Sequence, residues 1–183
     1  MTPIKARVLD AAIDLLATGG LRALTHVRID ERAGVAKGST SNYFRTRAAL
    51  LVGVTDWIVE RELPAVSAAF APRSPSEFVD AMCAILDFTT RENRALTTAR
   101  LVLFMEASHN EVLREALSQG RERMEDAVVS AFEGMGAADP RAAAEAISAC
   151  FEGLILHRIA RGADTDPRPA FETILAGALA RGR

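Results

Sequence analysis

The chain has little of what marks several protein classes. Only 2 of its 183 residues are cysteine, Cys83 and Cys150, and they form no CxxC pair. That argues against a disulfide framework and for a reducing compartment, where both thiols are expected to serve as small hydrophobes, with redox sensing as the alternative. No apolar run approaches the roughly 20 residues of a membrane span. The opening MTPIKARVLDAAIDLL mixes charge with apolar residues too often for a signal peptide. A cytoplasmic protein with no membrane association is therefore expected. The three histidines, His26, His109 and His157, show neither H-x-x-x-H nor Cys/His spacing, so no metal site is expected. G-x-S-x-G, the P-loop and G-x-G-x-x-G are all absent, and no nucleophile, base and orienter can be assembled; neither catalysis nor a cofactor is expected. Aromatics are 5% of the chain, and Val, Ile, Thr and Tyr rarely alternate, which removes a large β-domain.

What is present is helical material. Ala and Leu recur, hydrophobic residues are 49% and charged residues 25%, a globular balance for one domain or a small module fused to a larger one. Charge is unevenly placed. Residues 1–50 hold 8 Lys and Arg against 4 Asp and Glu, a net of +4, whereas residues 51–183 hold 14 against 20, a net of −6. A basic head on an acidic body can rest on phosphates while the body does something else.

Proline and glycine punctuate the chain as helix starts and stops. Thr2-Pro3, Ser74-Pro75, Asp139-Pro140 and Asp166-Pro167 each put a side-chain acceptor at an N-cap and proline at the first helical position, and Glu77 completes a capping box with Ser74. The pattern predicts a first helix over 3–18 stopped by Gly19-Gly20, short helices near 27–33 and 36–43, and a long helix capped by Thr46 that Pro64 kinks or ends near Glu62 or Leu63. Further helices follow near 75–92, 94–108, 111–134, 140–161 and 167–181, nine in all.

Residues 24–51, LTHVRIDERAGVAKGSTSNYFRTRAALL, carry the chemistry. They read as a short helix, a tight turn at Ala33-Gly34-Val35 and a second short helix, the helix-turn-helix arrangement. Ile29, Ala33, Val35, Tyr43 and Phe44 supply apolar groups that fix the angle between the two. Lys37 gives charge at the start of the second helix, Gly38 permits close backbone approach, and Ser39, Thr40, Ser41 and Asn42 are short hydrogen-bonding side chains that fit between groove walls. Thr25, Tyr43, Thr46 and Arg47 flank them as candidate phosphate contacts.

This stretch resembles the tetracycline-repressor-like (TetR) family of bacterial regulators, whose pattern is approximately T-x-x-x-I-A-x-x-A-G-V-S-x-G-T-L-Y-x-H/Y-F-x-S/T-K-x-x-L-L. Thr25, Ile29, Ala33, Gly34, Val35, Gly38, Tyr43, Phe44, Thr46, Leu50 and Leu51 match it, with Ser39 and Arg47 as near matches. The similarity covers about residues 4–51, roughly a quarter of the chain. Four positions depart: Asp30 stands where Ala is usual, Ala36 replaces a capping Ser, Thr40 a Leu or Ile, and Ser41 a Tyr. Losing a cap typically costs ~1 kcal/mol unless another acceptor replaces it.

The resemblance implies an all-α fold, with a three-helix DNA-binding head over 1–50 and a ligand-binding and dimerisation body over 51–183. It implies base-edge contacts from Lys37, Gly38, Ser39 and Ser41, and phosphate contacts from Thr25, Asn42, Tyr43, Thr46 and Arg47. The implied partners are double-stranded operator DNA, a second copy of the chain and a small-molecule effector. A dimer neutralising about four to eight phosphates would show a log-log salt slope of about −4 to −7. Phe171, Ile174, Leu175, Ala178 and Leu179 form one helical stripe, and Ile147, Cys150, Phe151, Leu154 and Ile155 another; each suits either a dimer interface or intrachain core. The bulky residues Trp57, Phe70, Phe78, Met82, Phe88, Leu101, Phe104, Met105, Met124 and Phe132 suit core or the wall of a ligand cavity, with Phe104, Met105 and Phe151 the expected ligand contacts. The function expected is that of a homodimeric repressor released from its operator by a small hydrophobic molecule. The alternative is a helical ligand-binding or protein-interaction module whose head no longer binds DNA.

Overall fold

The computed structural model describes residues 3–69 and 74–180, with the backbone alone for residues 63–69 and 123. Among these residues there are nine helices and no strand: α1 (Ile4–Ala23), α2 (His26–Ala33), α3 (Ser39–Tyr43), α4 (Arg47–Ala69), α5 (Pro75–Thr90), α6 (Arg94–Ala107), α7 (Glu111–Gly134), α8 (Pro140–Arg161) and α9 (Arg168–Ala180). None is long and apolar enough to cross a membrane.

Side-chain caps set several helix starts. Ser74 accepts from the Glu77 amide at 3.2 Å and Asp139 from the Ala142 amide at 3.0 Å, with proline at the first position of α5 and α8 as their sequences require. Thr46 accepts from Ala49 N at 3.1 Å and opens α4. Two other starts lie one residue later than the sequence suggests. Pro3 and Pro167 stand outside the regular turns of α1 and α9, and Thr2 lies outside the described residues.

Gly20 leaves helical geometry (φ 61°, ψ −164°) where Gly19-Gly20 predicts a stop, and a further helical turn, Leu21–Ala23, follows that kink before Leu24. Pro64 does not end α4, which runs on to Ala69. A prolyl nitrogen removes one intrahelical bond, and the helix on either side continues past that loss. Gly34, by contrast, sits in the predicted turn: its φ of 62° is left-handed, and its amide closes α2 on Asp30 O and Glu31 O.

The chain divides into two compact groups. The first is the chain through Arg61 with Ala95–Gly120. Its core is the apolar stripe of α1 (Val8, Leu9, Ala12, Leu15, Leu16) packed with Ile29, Phe44, Leu50, Leu51, Val54 and Ile58, and closed by Leu96, Ala99, Leu103 and Leu113. Arg7 reaches from α1 to the carbonyls of Ala33 and Gly34 at 2.5 and 2.9 Å, holding the turn after α2. The second group is Glu62–Arg94 with Arg121–Arg183. There Phe78 meets Phe132 edge-on at 5.2 Å, and Phe151 stacks on Phe171 at 6.2 Å. Ion pairs Arg168–Asp80, Arg158–Asp87 and Arg91–Asp164 tie α5 to α8, α9 and the chain between them.

Candidate nucleic-acid interface

The helix-turn-helix is built from polar bonds as much as from apolar packing. Thr25 caps α2, its Oγ1 accepting from Arg28 N at 3.3 Å. At the next residue, His26 donates from Nε2 to Phe44 O at 2.8 Å, which joins the start of α2 to the end of α3. The turn between the helices passes through exposed Ala36 and Lys37 to Gly38, at φ 91°. Gly38 N then donates to Asp30 Oδ2 at 2.7 Å, while Thr40 N and Thr40 Oγ1 donate to Asp30 Oδ1 at 2.8 and 2.6 Å. An aspartate on α2 thus supplies the cap that Ala36 lacks for α3.

The electrostatics of Asp30 follow from those bonds. At 4% exposure, burial pushes its carboxyl pKa up. The Thr40 hydroxyl, the Thr40 and Gly38 amides and the charge of His26 pull it down, and the net is a carboxyl held below its ordinary value. Asp30 is therefore charged at neutral pH, as a three-donor acceptor should be.

The predicted contact residues fall as follows. Thr25, Lys37, Ser41, Asn42, Tyr43, Thr46 and Arg47 are exposed, and Gly38 and Ser39 are half-buried. Thr40 is fully buried and serves the interior. The Ser39 hydroxyl donates to Ala36 O at 2.6 Å, so that side chain meets a ligand only as an acceptor. Thr25 and Thr46 accept from backbone amides and keep their own O–H to donate outward. Arg47 spends two donors inside the chain, Nη1 on Leu24 O and Nη2 on Leu21 O, each at 3.0 Å. Its guanidinium therefore fastens the start of α4 to the end of α1, a role the sequence does not show.

Thr40, expected between groove walls, instead holds α3 from inside through Asp30, and His26 holds it too, roles that the sequence reading missed. Arg28 and Arg45 are exposed cations within three positions of a capping threonine. The exposed pair Arg28 and Arg45 was legible as charge; the other three act through distances that sequence does not encode.

The remaining candidates lie elsewhere. Phe104 is half-buried under the Arg100 guanidinium at 5.8 Å, Met105 is 73% exposed, and Phe151 is half-buried on Phe171. Phe70 lies outside the described residues. Burial raises the pKa of both Cys83 and Cys150, which disfavours the reactive thiolate. Among the described residues no group of three or more His, Cys, Asp or Glu could hold a metal ion.

An all-helical chain whose head presents a short polar helix beside capping threonines and cations has the form of a helix-turn-helix regulator. Comparison with known families makes that specific. The model described as tetracyclin repressor-like, C-terminal domain, matches residues 73–181, and that of bacterial regulatory proteins, tetR family, matches residues 8–54. The chain belongs to the TetR family of transcriptional regulators and carries its DNA-binding helix-turn-helix domain.

Solved structures share the fold. A transcriptional regulator from Rhodococcus sp. Rha1 is similar with a TM-score of 0.85 at 19% identity, over 97% of this chain and 96% of that one. A TetR transcription regulator from Haloarcula marismortui gives 0.79 at 16% identity, over 100% and 99%. The multidrug binding protein EbrR, solved in complex with ethidium, gives 0.76 at 22% identity, over 98% of each chain. No curated protein matches the sequence.

Proposed function

We propose that the chain is a homodimeric repressor that holds operator DNA with α3 in the major groove and releases it when a small hydrophobic molecule binds the body. The observation that carries this reading is α3 with the turn that enters it, capped from α2 by Asp30, where Lys37 of the turn and Ser41, Asn42 and Tyr43 of the helix face solvent. Base edges would be met by Lys37, Gly38, Ser39 and Ser41, and phosphates by Thr25, Asn42, Tyr43, Thr46 and Arg47. In this division residues 1–50 bind DNA and residues 51–183 bind the effector and the second copy.

One such head offers little surface, so two heads about one helical turn apart are needed for tight binding. The last two helices support a pairing role. Phe171, Leu175, Ile147 and Ile155 are buried within the chain, but Cys150, Phe151, Leu154, Ile174, Ala178 and Leu179 keep partial exposure, and a Cβ at Gly153 or Gly177 would meet open space. For the effector, the similarly folded EbrR takes ethidium, a flat aromatic cation, which supports a molecule with a broad aromatic face; Phe104, Met105 and Phe151 are its proposed contacts. A ligand that frees the operator must prefer the released state by ~10²- to 10⁴-fold. Against a head that no longer binds DNA stands the Asp30 cap, which supplies α3 with the acceptor that Ala36 lacks.

Selection of duplexes from a random library by the full chain tests the proposal. A recovered two-fold-symmetric site, bound more weakly by Lys37→Ala and Asn42→Ala, supports it. Recovery of no preferred sequence, or unchanged binding by both variants, refutes it. Failure of every apolar compound tried to release the selected duplex would remove the effector part alone.

A further inference from the structure

α3 has five residues, too few for its own hydrogen bonds to hold it in place. What holds it comes from α2. All three donors that Asp30 engages belong to the turn entering α3 or to its first turn: Gly38 N, Thr40 N and Thr40 Oγ1. Asp30 is 4% exposed and Thr40 fully buried, so neither presents a surface to a duplex. The neighbours of Thr40, Ser41 and Asn42, are exposed, so any rotation of α3 about the Asp30 anchor changes where those side chains point.

We infer that Asp30 and Thr40 form a positioning pair that sets the register of α3 in the groove and so the sequence preference of DNA binding, an inference that rests on the operator-binding reading above. Positioning can be told from two simpler roles. If Asp30 acted only as a charge near phosphates, neutralising it would strengthen binding to every duplex. If the pair acted only as a stabiliser, its loss would lower the melting temperature and leave discrimination untouched. A positioning pair predicts weaker specific binding with non-specific binding preserved, because phosphate contacts carry little sequence information.

The test uses the full chain, the duplex it selects from a random library and a scrambled duplex of the same composition, at one salt concentration and a temperature at which circular dichroism shows each protein folded. Asp30→Asn is expected to bind the selected duplex about tenfold or more weakly, and the scrambled one within about twofold of the parent. Thr40→Val, which keeps two of the three bonds and nearly the same shape, is expected to lose about threefold or more in the same ratio and serves if Asp30→Asn does not fold. Thr40→Ser should keep the ratio. Variants that melt earlier but discriminate as well as the parent overturn the inference, as does tighter binding of both duplexes by Asp30→Asn. A parent chain that selects no sequence sinks the operator-binding reading and the inference with it, whereas a discriminating parent beside equally discriminating variants sinks the inference alone.

Discussion

Asp30 shows how one carboxylate can stand in for a missing cap. Replacing it with alanine strands two amides and a hydroxyl, so Asp30→Ala is expected to cost about 2–3 kcal/mol at neutral pH, measured by urea unfolding. Its folded pKa lies below the ordinary value of 3.8, so its stabilisation is present above that pH and is lost as pH falls through the lower, folded value. The stability gap between parent and Asp30→Ala should therefore narrow as the pH drops below about 4. A gap that stays constant from neutral pH to acid would show that the charge contributes nothing. Arg47 gives a second prediction at this scale. Its planar fork spans Leu21 O and Leu24 O, which a single ammonium cannot match, so Arg47→Lys is expected to lose about 0.5–1.5 kcal/mol without DNA present. Equal stability would mean that those bonds are replaced by water at no cost.

At the scale of helices, legibility depended on whether the signal was local. Ser74-Pro75 and Asp139-Pro140 are local devices, and α5 and α8 start where those pairs place them. Gly34 is another, and the turn after α2 sits on it. The start of α3 was not legible, because its cap comes from eight to ten residues upstream and reads in sequence only as two unusual residues, Asp30 and Thr40. Of the two outcomes that Pro64 allows, a kink or an end, the end does not occur, because α4 continues beyond it to Ala69. The apolar stripes told which face of a helix is buried but not by what, so Phe171 and Leu175 proved intrachain core while Ile174 and Leu179 stay half-exposed. Fully buried Phe132, edge-on to Phe78 and inside α7, should be among the most sensitive positions: Phe132→Ala is expected to cost about 3–5 kcal/mol. Met105→Ala, at a residue 73% exposed, should change stability by no more than about 0.5 kcal/mol. Unfolding curves that rank the two alike would contradict this packing.

For the whole molecule, pairing through α8 and α9 predicts opposite signs for two properties of one variant. A Cβ at Gly153 meets no atom within 4 Å in the chain, and leucine is the better helix former by about 1 kcal/mol. Gly153→Leu should therefore leave the isolated chain as stable as the parent or more so, yet weaken self-association seen by sedimentation if that face meets its copy. Unchanged association would rule out pairing through that face. Operator reading by this family member depends on a short helix held by Asp30. The most direct measurement is the affinity of the full chain for its selected duplex and for a scrambled one across a range of salt concentrations. The account predicts about 10³-fold discrimination or better, with a log-log slope of about −4 to −7; equal binding of both duplexes with a slope near zero would contradict it.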